Sequence, residues 1–324
     1  MSILRHNAPG LLLCFAIAAL ALSLAPYLPL NSLMLALLMG LLLAAFWHPS
    51  ATVRPGVVFS MKKVLRLAIV LLGLRISLDQ VQALGWSSLL IVFSGVALTF
   101  GLTLGLGRWL KLSRSSTLLM ASGVSICGAS AVLAADAVVE AEESDVVYAV
   151  AVITLLGTAF MLAYPVLQWL LMLAPTHYSL WVGSSVHEVA QVVAAGFAHG
   201  EQTGELATVV KLTRVLALVP VMLLLVVYQR RTAAAEVGLK QVPIPWFVLG
   251  FVGLLLLGGL LPASFKAPLN LLGQLSLVMA MAALGLETRL DKLRAAGLRP
   301  LYLGLASSLF LSLFSLGMIY ALQP

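Results

Sequence analysis

The sequence is poor in charge and nearly devoid of cysteine. Only 10% of its 324 residues are Asp, Glu, Lys or Arg, against about 25% in a water-soluble domain. Hydrophobic residues make up 61% and the mean hydropathy is +1.07, so the surplus apolar surface must face something other than water. This excludes a soluble fold. The two cysteines, Cys14 and Cys127, both sit inside apolar stretches, which excludes a disulfide framework or a cysteine-based metal site. Strand-like alternation is missing too. A membrane β-barrel would alternate apolar and polar residues in segments of about 10, whereas Val221 to Val227 is continuously apolar. A net charge of +7 would suggest nucleic acid in a soluble protein. In lipid, placement matters more than the sum, and no nucleic-acid partner is expected. The fold class is an all-α polytopic membrane protein.

What is there is a succession of apolar runs near the length of about 20 residues that spans a bilayer. Eleven are predicted, over 11–28, 32–47, 60–78, 86–107, 115–138, 146–171, 179–198, 205–228, 246–261, 268–286 and 299–322. The first could alternatively be a secretory signal, since Arg5 precedes it and small residues follow at Ala19 to Ala21. The next span follows after only a Pro-containing joint, which favours a transmembrane helix.

Joints rich in Lys and Arg stay on the cytoplasmic side. With the N-terminus inside and the C-terminus in the periplasm, fifteen of nineteen basic residues fall inside, and the acidic joint Glu140, Glu142, Glu143 and Asp145 falls outside. The four basic residues left over are Arg75, Lys211, Arg214 and Lys266. Arg75, with Asp79 one turn on, reads as a local interfacial pair.

A weak internal repeat at an offset of 212 aligns Leu72-Gly73-Leu74-Arg75-Ile76-Ser77-Leu78-Asp79 with Leu284-Gly285-Leu286-Glu287-Thr288-Arg289-Leu290-Asp291, and Ala83 and Gly85 with Ala295 and Gly297. The two copies have opposite predicted topology, as in inverted-repeat transporters, whose sites lie near the midplane. Residues 1–324 therefore read as one integral membrane domain with halves at approximately 30–171 and 179–324.

Three spans carry polar residues that lipid should not tolerate. In span five, Ala121 to Ala131 contains nine small residues in eleven, among them Ser125, Cys127, Gly128, Ala129 and Ser130. Either the helix breaks there, offering the N–H groups of its second half to an anion, or its small residues let a neighbour approach closely. Asp136 lies about two turns further on, at the outer interface or as a proton or cation site.

In span seven, Ser184, His187, Glu188 and Gln191 recur at i, i+3, i+4 and i+7 with Ser185 beside them. On a regular helix they form one polar stripe, facing a cavity or clamping a partner helix. His187-Glu188 brushes against the zinc-protease pattern HExxH, but Gln191 replaces the second histidine, and no metal site is expected. In span eight, Lys211 and Arg214 share a face. They either snorkel to the interface or point inward to balance Glu188 or hold an anion, for which the Arg fork is suited.

The strings Ser125-Ile126-Cys127-Gly128-Ala129-Ser130-Ala131 and Val186-His187-Glu188-Val189-Ala190-Gln191-Val192-Val193-Ala194-Ala195-Gly196, with Leu72-Gly73-Leu74-Arg75 upstream and Met279-Ala280-Met281-Ala282-Ala283-Leu284-Gly285-Leu286 downstream, resemble the sulfate exporter family, also described as conserved hypothetical bacterial inner-membrane proteins. The similarity runs over nearly the whole chain. It implies membership of the cation:proton antiporter and anion transporter superfamily, and a core and panel architecture with crossing discontinuous helices. Asp136 lies outside the matching strings.

The function expected is alternating-access transport of a small anion, sulfate or a sulfonate, across the bacterial inner membrane, coupled to H+ or Na+. Ser125, Cys127, Gly128, Ala129, Ser130, Ser184, Ser185, His187, Gln191 and Arg214 are the expected anion contacts. Glu188, His187 and Asp136 are the expected coupling groups, because imidazole titrates near neutrality and a desolvated carboxylate can be raised toward it. A cation:proton antiporter using Asp136 and Glu188 is the alternative, and a non-transporting sensor the next. No enzyme activity and no organic cofactor are expected. The partners are the lipid bilayer, the anion and its coupling ion, and a homodimer is compatible with the sequence.

Overall fold

The computed structural model describes residues 2–28, 30–47, 49–232, 244–288 and 298–322. Among them the chain forms helices and short joints. In chain order these are α1 (Ser2–Leu24), α2 (Ser32–Phe46), α3 (Arg54–Phe59), α4 (Leu65–Leu72), α5 (Leu78–Ala83), α6 (Gly85–Trp109), α7 (Arg114–Ser122) and α8 (Ala129–Val139). Then follow α9 (Glu143–Leu171), α10 (Pro175–Ser185), α11 (Val189–Phe197), α12 (Glu201–Leu216), α13 (Leu218–Thr232), α14 (Trp246–Gly258), α15 (Ala263–Glu287) and α16 (Leu298–Leu322). A π-turn over Ser60–Val64 joins α3 to α4, and a second over Gly123–Cys127 extends α7.

Helix starts follow local chemistry. The Asn31 side chain accepts from the Met34 N–H at the head of α2, and the Ser113 hydroxyl accepts from the Ser116 N–H at the head of α7, satisfying donors that have no partner within the helix. Proline opens α10, where its missing N–H costs nothing.

Helices over His6–Tyr27, Gly85–Trp109, Glu143–Leu171, Glu201–Arg230, Ala263–Glu287 and Leu298–Leu322 are long and apolar enough to cross a bilayer, and shorter apolar helices lie at Ser32–Phe46, Ala129–Val139 and Trp246–Gly258. The protein is therefore helical and membrane-embedded. Among the described residues six helices are long and apolar enough to cross alone, and several of the eleven expected spans fall on helices that are short or interrupted. The second copy of the repeat ends α15, and its continuation from Arg289 to Gly297 lies outside the described residues.

The chain divides into two compact units. Unit one comprises Met1–Ala83, Gly196–Glu205 and Trp246–Arg289. Its central contact is α2 against α15, where backbones touch at Gly40 and Gly285. A Cβ on Gly40 would lie 2.4 Å from the Ala282 carbonyl oxygen, and one on Gly285 2.4 Å from that of Leu37. Without a hydrophobic drive between helices in lipid, such close approach supplies the attraction by dispersion. The same unit corrects the reading of Arg75. Its guanidinium pairs with Glu201 at 2.8 Å and Glu205 at 3.0 Å, not with Asp79, which is exposed.

Unit two comprises Leu84–Ala195, Leu206–Pro245 and Leu290–Pro324. Here α6 packs on α16, and α7 and α8 pack on α9. Thr103 on α6 donates to Ser307 on α16 at 2.9 Å, and Trp181 Nε1 on α10 donates to the Ser312 carbonyl at 3.0 Å.

The α2–α15 contact predicts an asymmetric response to alanine. Gly40→Ala or Gly285→Ala should each lower stability by about 1–3 kcal/mol through overpacking. Gly101→Ala meets nothing within 4 Å and should leave the melting temperature in detergent unchanged or raise it slightly. Tryptophan-fluorescence melts of the three variants check this.

Candidate functional site

Two interrupted helices build the centre of unit two. The first runs through α7 and the π-turn, then stops at Gly128, whose φ of +73° is a conformation L side chains rarely adopt. Its second half, α8, starts at the next residue. The second runs through α10 to Ser185, becomes extended at Val186 (φ −67°, ψ 143°) and restarts as α11 at Val189. The stripe expected on a regular helix therefore does not form. Ser184 ends one half-helix, His187 and Glu188 sit in the break, and Gln191 lies in the first turn of the other half.

Each break strands carbonyl groups at the end of its first half, where the helix dipole also leaves partial negative charge. Lys211 and Arg214 on α12 answer both ends at once. The Lys211 Nζ donates to the Ile126 carbonyl at 2.9 Å and to that of Val186 at 2.8 Å. Arg214 donates from Nε to Ser125 O at 2.7 Å, from Nη1 to Ser184 O and Val186 O at 3.0 Å each, and from Nη2 to Val124 O. Both side chains are 0% exposed, so neither snorkels. Arg214 was expected to face an anion. Four of its five donors instead hold backbone from two helices, so it is a structural clamp in this geometry.

The front of the site has the opposite character. Glu188 caps α11: its carbonyl accepts from Val192 at 3.0 Å, and its own N–H donates to Gln191 Oε1 at 3.1 Å, the return half of a capping box. Gln191 Nε2 donates to the Thr154 carbonyl at 3.0 Å and to the Thr158 hydroxyl at 3.3 Å, so this side chain, expected as an anion contact, is committed to holding the break. The Thr154 hydroxyl donates to Glu188 Oε1 at 2.8 Å. Glu188 lies directly over the other break, since a Cβ on Gly128 would come within 2.5 Å of its Cγ.

Glu188, Val189, Ala129 and Thr154 are partly exposed and Ser130 is exposed, while Ser125, His187, Lys211 and Arg214 behind them are buried. The first N–H groups of α8 and α11 have no partner inside their own helices. The site therefore presents two electropositive helix starts, one carboxylate and one accessible hydroxyl.

Other expected residues take varied places. Ser184 and Ser185 return their hydroxyls to carbonyls one turn back, Leu180 and Trp181 respectively, as hydroxyls do near breaks. Ser185 also meets the Tyr164 hydroxyl at 2.9 Å. His187 Nε2 bonds the Ser308 hydroxyl at 2.8 Å, whereas His187 Nδ1 and the Ser125 hydroxyl are buried with no hydrogen-bond partner. Cys127 is buried at the end of the π-turn. Asp136 sits at the far end of α8, where its Oδ1 accepts from the Ala141 N–H at 3.1 Å, a local cap away from the breaks.

Sequence reasoning missed the supporting shell: Thr154 and Thr158 on α9, Ser308 and Ser312 on α16, and Tyr164. The Tyr164 ring stacks on Trp181 at 4.0 Å and its hydroxyl donates to Ser312 at 2.7 Å. A signal existed. Thr154 and Thr158, like Ser308 and Ser312, are hydroxyl pairs four apart, hence on one face of an otherwise apolar helix.

Comparison with known proteins gives a family match over residues 9–304, to the family described as conserved hypothetical protein 698. Among relatives, a UPF0324 membrane protein of Oceanobacillus iheyensis is 36% identical over 97% of this chain and 94% of its own. The UPF0324 membrane protein TauZ of Paracoccus pantotrophus is 37% identical over 94% of this chain and 93% of its own. A UPF0324 membrane protein of Pseudomonas aeruginosa is 38% identical over 91% and 88% respectively.

If the cations hold the breaks closed, Arg214→Lys should be severely destabilising, because one ammonium has three donors in place of a planar fork that holds four carbonyls. Losing bonds from a charged donor costs about 1.5–3 kcal/mol each, so the variant should lose more than about 3 kcal/mol. Folded yield by size-exclusion chromatography and thermal melts check it, and wild-type behaviour would dismiss the clamp.

Proposed function

The chain belongs to the membrane-protein family described as conserved hypothetical protein 698, and we propose that it is a secondary transporter moving a small anion, sulfate or a sulfonate, across the bacterial inner membrane by alternating access. The observation that carries this reading is the pair of facing helix breaks. Their carbonyl ends are neutralised by Lys211 and Arg214, and their amide ends lie beside accessible Ala129, Ser130 and Glu188.

Discontinuous helices of this kind bind substrates in secondary transporters because a half-helix start supplies N–H groups and positive dipole without a lipid-exposed charge. Backbone N–H groups at Ala129 and Ser130 bind the anion, with the Ser130 hydroxyl beside them, and Glu188 carries the coupling proton. Ser125 and His187, buried with unpaired polar atoms, face the ion in another stage of the cycle. The N-terminus is cytoplasmic and the C-terminus periplasmic, from the basic joints. The chain performs no covalent chemistry.

The competing reading, a cation:proton antiporter on Asp136 and Glu188, is disfavoured by one observation. Asp136 lies eight residues past Gly128 on α8, about 12 Å along the axis, and is occupied in capping the helix end.

The test is uptake of labelled sulfate and methanesulfonate by proteoliposomes containing the purified chain. Wild type should accumulate one of them with a pH-dependent rate, and Glu188→Gln should transport with that pH dependence flattened at least tenfold. Retention of the wild-type pH profile by Glu188→Gln would remove Glu188 from coupling.

A further inference from the structure

The arrangement of charge around Glu188 bears on the sense in which proton and anion move, a question that rests on the transport reading above. Among the described residues the cations at the breaks are Lys211 and Arg214, which place six hydrogen bonds on carbonyl groups and are turned to the two helix ends behind the site. The front therefore carries the charge of Glu188 itself. This carboxylate lies against Gly128 at the start of α8, where the first N–H groups of the helix, at Ala129 and Ser130, have no partner within it.

The groups that surround Glu188 offer no substitute. From α9 come Thr154 and Thr158, both neutral and both bonded into the break. The π-turn contributes Cys127, a thiol within electrostatic reach. Gln191 comes from α11, and His187, with its Nε2 on Ser308 of α16, from the break itself. From α12 come Lys211, within electrostatic reach, and Arg214. On α8 the next ionisable group is Asp136, at the far end. Two anions a few ångströms apart in a low-dielectric site repel strongly, so an ionised Glu188 and a bound sulfate exclude one another.

We infer that Glu188 is the built-in occupant of the α8 start and must be protonated for the anion to bind, so that proton and anion are carried together as a symport. A proton from the entry side adds to a Glu188 carboxylate oxygen and frees the amide groups. The anion binds, both cross, and release of the anion on the other side is followed by loss of the proton to that side. One proton travels with each anion bound, and Glu188 returns ionised to its place over Gly128.

Thr154 is the positioning residue in this scheme. Its hydroxyl donates to Oε1 and its carbonyl holds Gln191, which in turn holds the Glu188 N–H.

The experiment uses proteoliposomes of the full chain loaded with a pH-sensitive dye, with membrane potential clamped by potassium and valinomycin, and inorganic sulfate and methanesulfonate as the added anions. Wild-type uptake should acidify the lumen, and an inward proton gradient should speed it at least tenfold. Glu188→Gln should move the same anion without lumenal acidification. Thr154→Val should displace the pH of half-maximal uptake, where loss of a merely structural contact would scale the rate equally at every pH. Anion uptake that makes the lumen alkaline, or leaves its pH unchanged, overturns the symport inference while leaving anion transport standing. If neither anion is transported, the transport reading itself falls and takes this inference with it. The wild-type dye trace decides the matter even if Glu188→Gln fails to fold.

Discussion

The centre of this protein depends on how stranded carbonyl groups are satisfied where water is absent. A helix that stops inside a membrane leaves its last carbonyls without partners, each costing several kcal/mol in hydrocarbon. Two helices stop here, after Cys127 and after Ser185, and their carbonyl ends are answered by Lys211 and Arg214 from a single turn of α12. The usual case for replacing a buried charge by an apolar side chain of similar volume does not carry over. An apolar residue at 214 would fill the space and leave the carbonyls of Val124, Ser125 and Ser184 without the donor they have here. Arginine suits this position because its five donors diverge in a plane and hold four carbonyls of two separate backbones, more than the three donors of a lysine could satisfy.

That solution divides the breaks into a back and a front. Behind, dipole ends and cations meet in a buried cluster. In front, the starts of α8 and α11 keep their amides and lie beside partly exposed Glu188 and Ala129 and exposed Ser130. The hydroxyl and aromatic shell keeps the two faces in register. Thr154 and Thr158 tie α9 to the break through Gln191, while Tyr164 of α9, stacked on Phe160 and Trp181, and Trp181 of α10 both donate to Ser312 of α16. Hydrogen bonds between helices in lipid are individually modest, about 0.6 kcal/mol on average. Their contribution here lies in fixing where Glu188 stands.

Much of this was legible in the sequence, and the gaps have physical causes. Charge scarcity and long apolar runs were enough for a helical membrane protein, and the glycine- and serine-rich string from Ala121 to Ala131 marked one of the two segments that break. Gly128 could be suspected because glycine weakens a helix, yet the same small residues would also serve close packing, and composition cannot separate the two. The stripe in span seven misled because it assumed a regular helix. Once Val186 is extended, Ser184 and Gln191 belong to different half-helices and the i to i+7 spacing has no meaning.

Arg214 misled for a related reason. A cation deep in lipid reads as a partner for an anion when the alternative, a second set of broken-helix carbonyls, is not yet in view. Arg75 paired with Glu201 and Glu205, not with Asp79, because sequence proximity says nothing of a neighbour 126 positions away.

The four charges of α12 make the same argument from the other direction. Glu201, Glu205, Lys211 and Arg214 fall within fourteen residues of one helix, a density that would be prohibitive if they faced lipid. The partners are of two kinds. The two carboxylates take Arg75, and the two cations take backbone from the two breaks. The helix is thus paired at its start through side-chain charge and further on through peptide dipoles. The second kind of pairing constrains function more, because a dipole at a helix end exists only while the helix is broken there. Straightening either break would return its carbonyls to i+4 donors and strip Lys211 and Arg214 of half their acceptors, so the break and the clamp persist or fail together. The front of the site, with Glu188 over Gly128, is consequently as permanent as the break itself, and a change of occupancy there must proceed by changing the charge on Glu188 or by moving the clamped pair as one body.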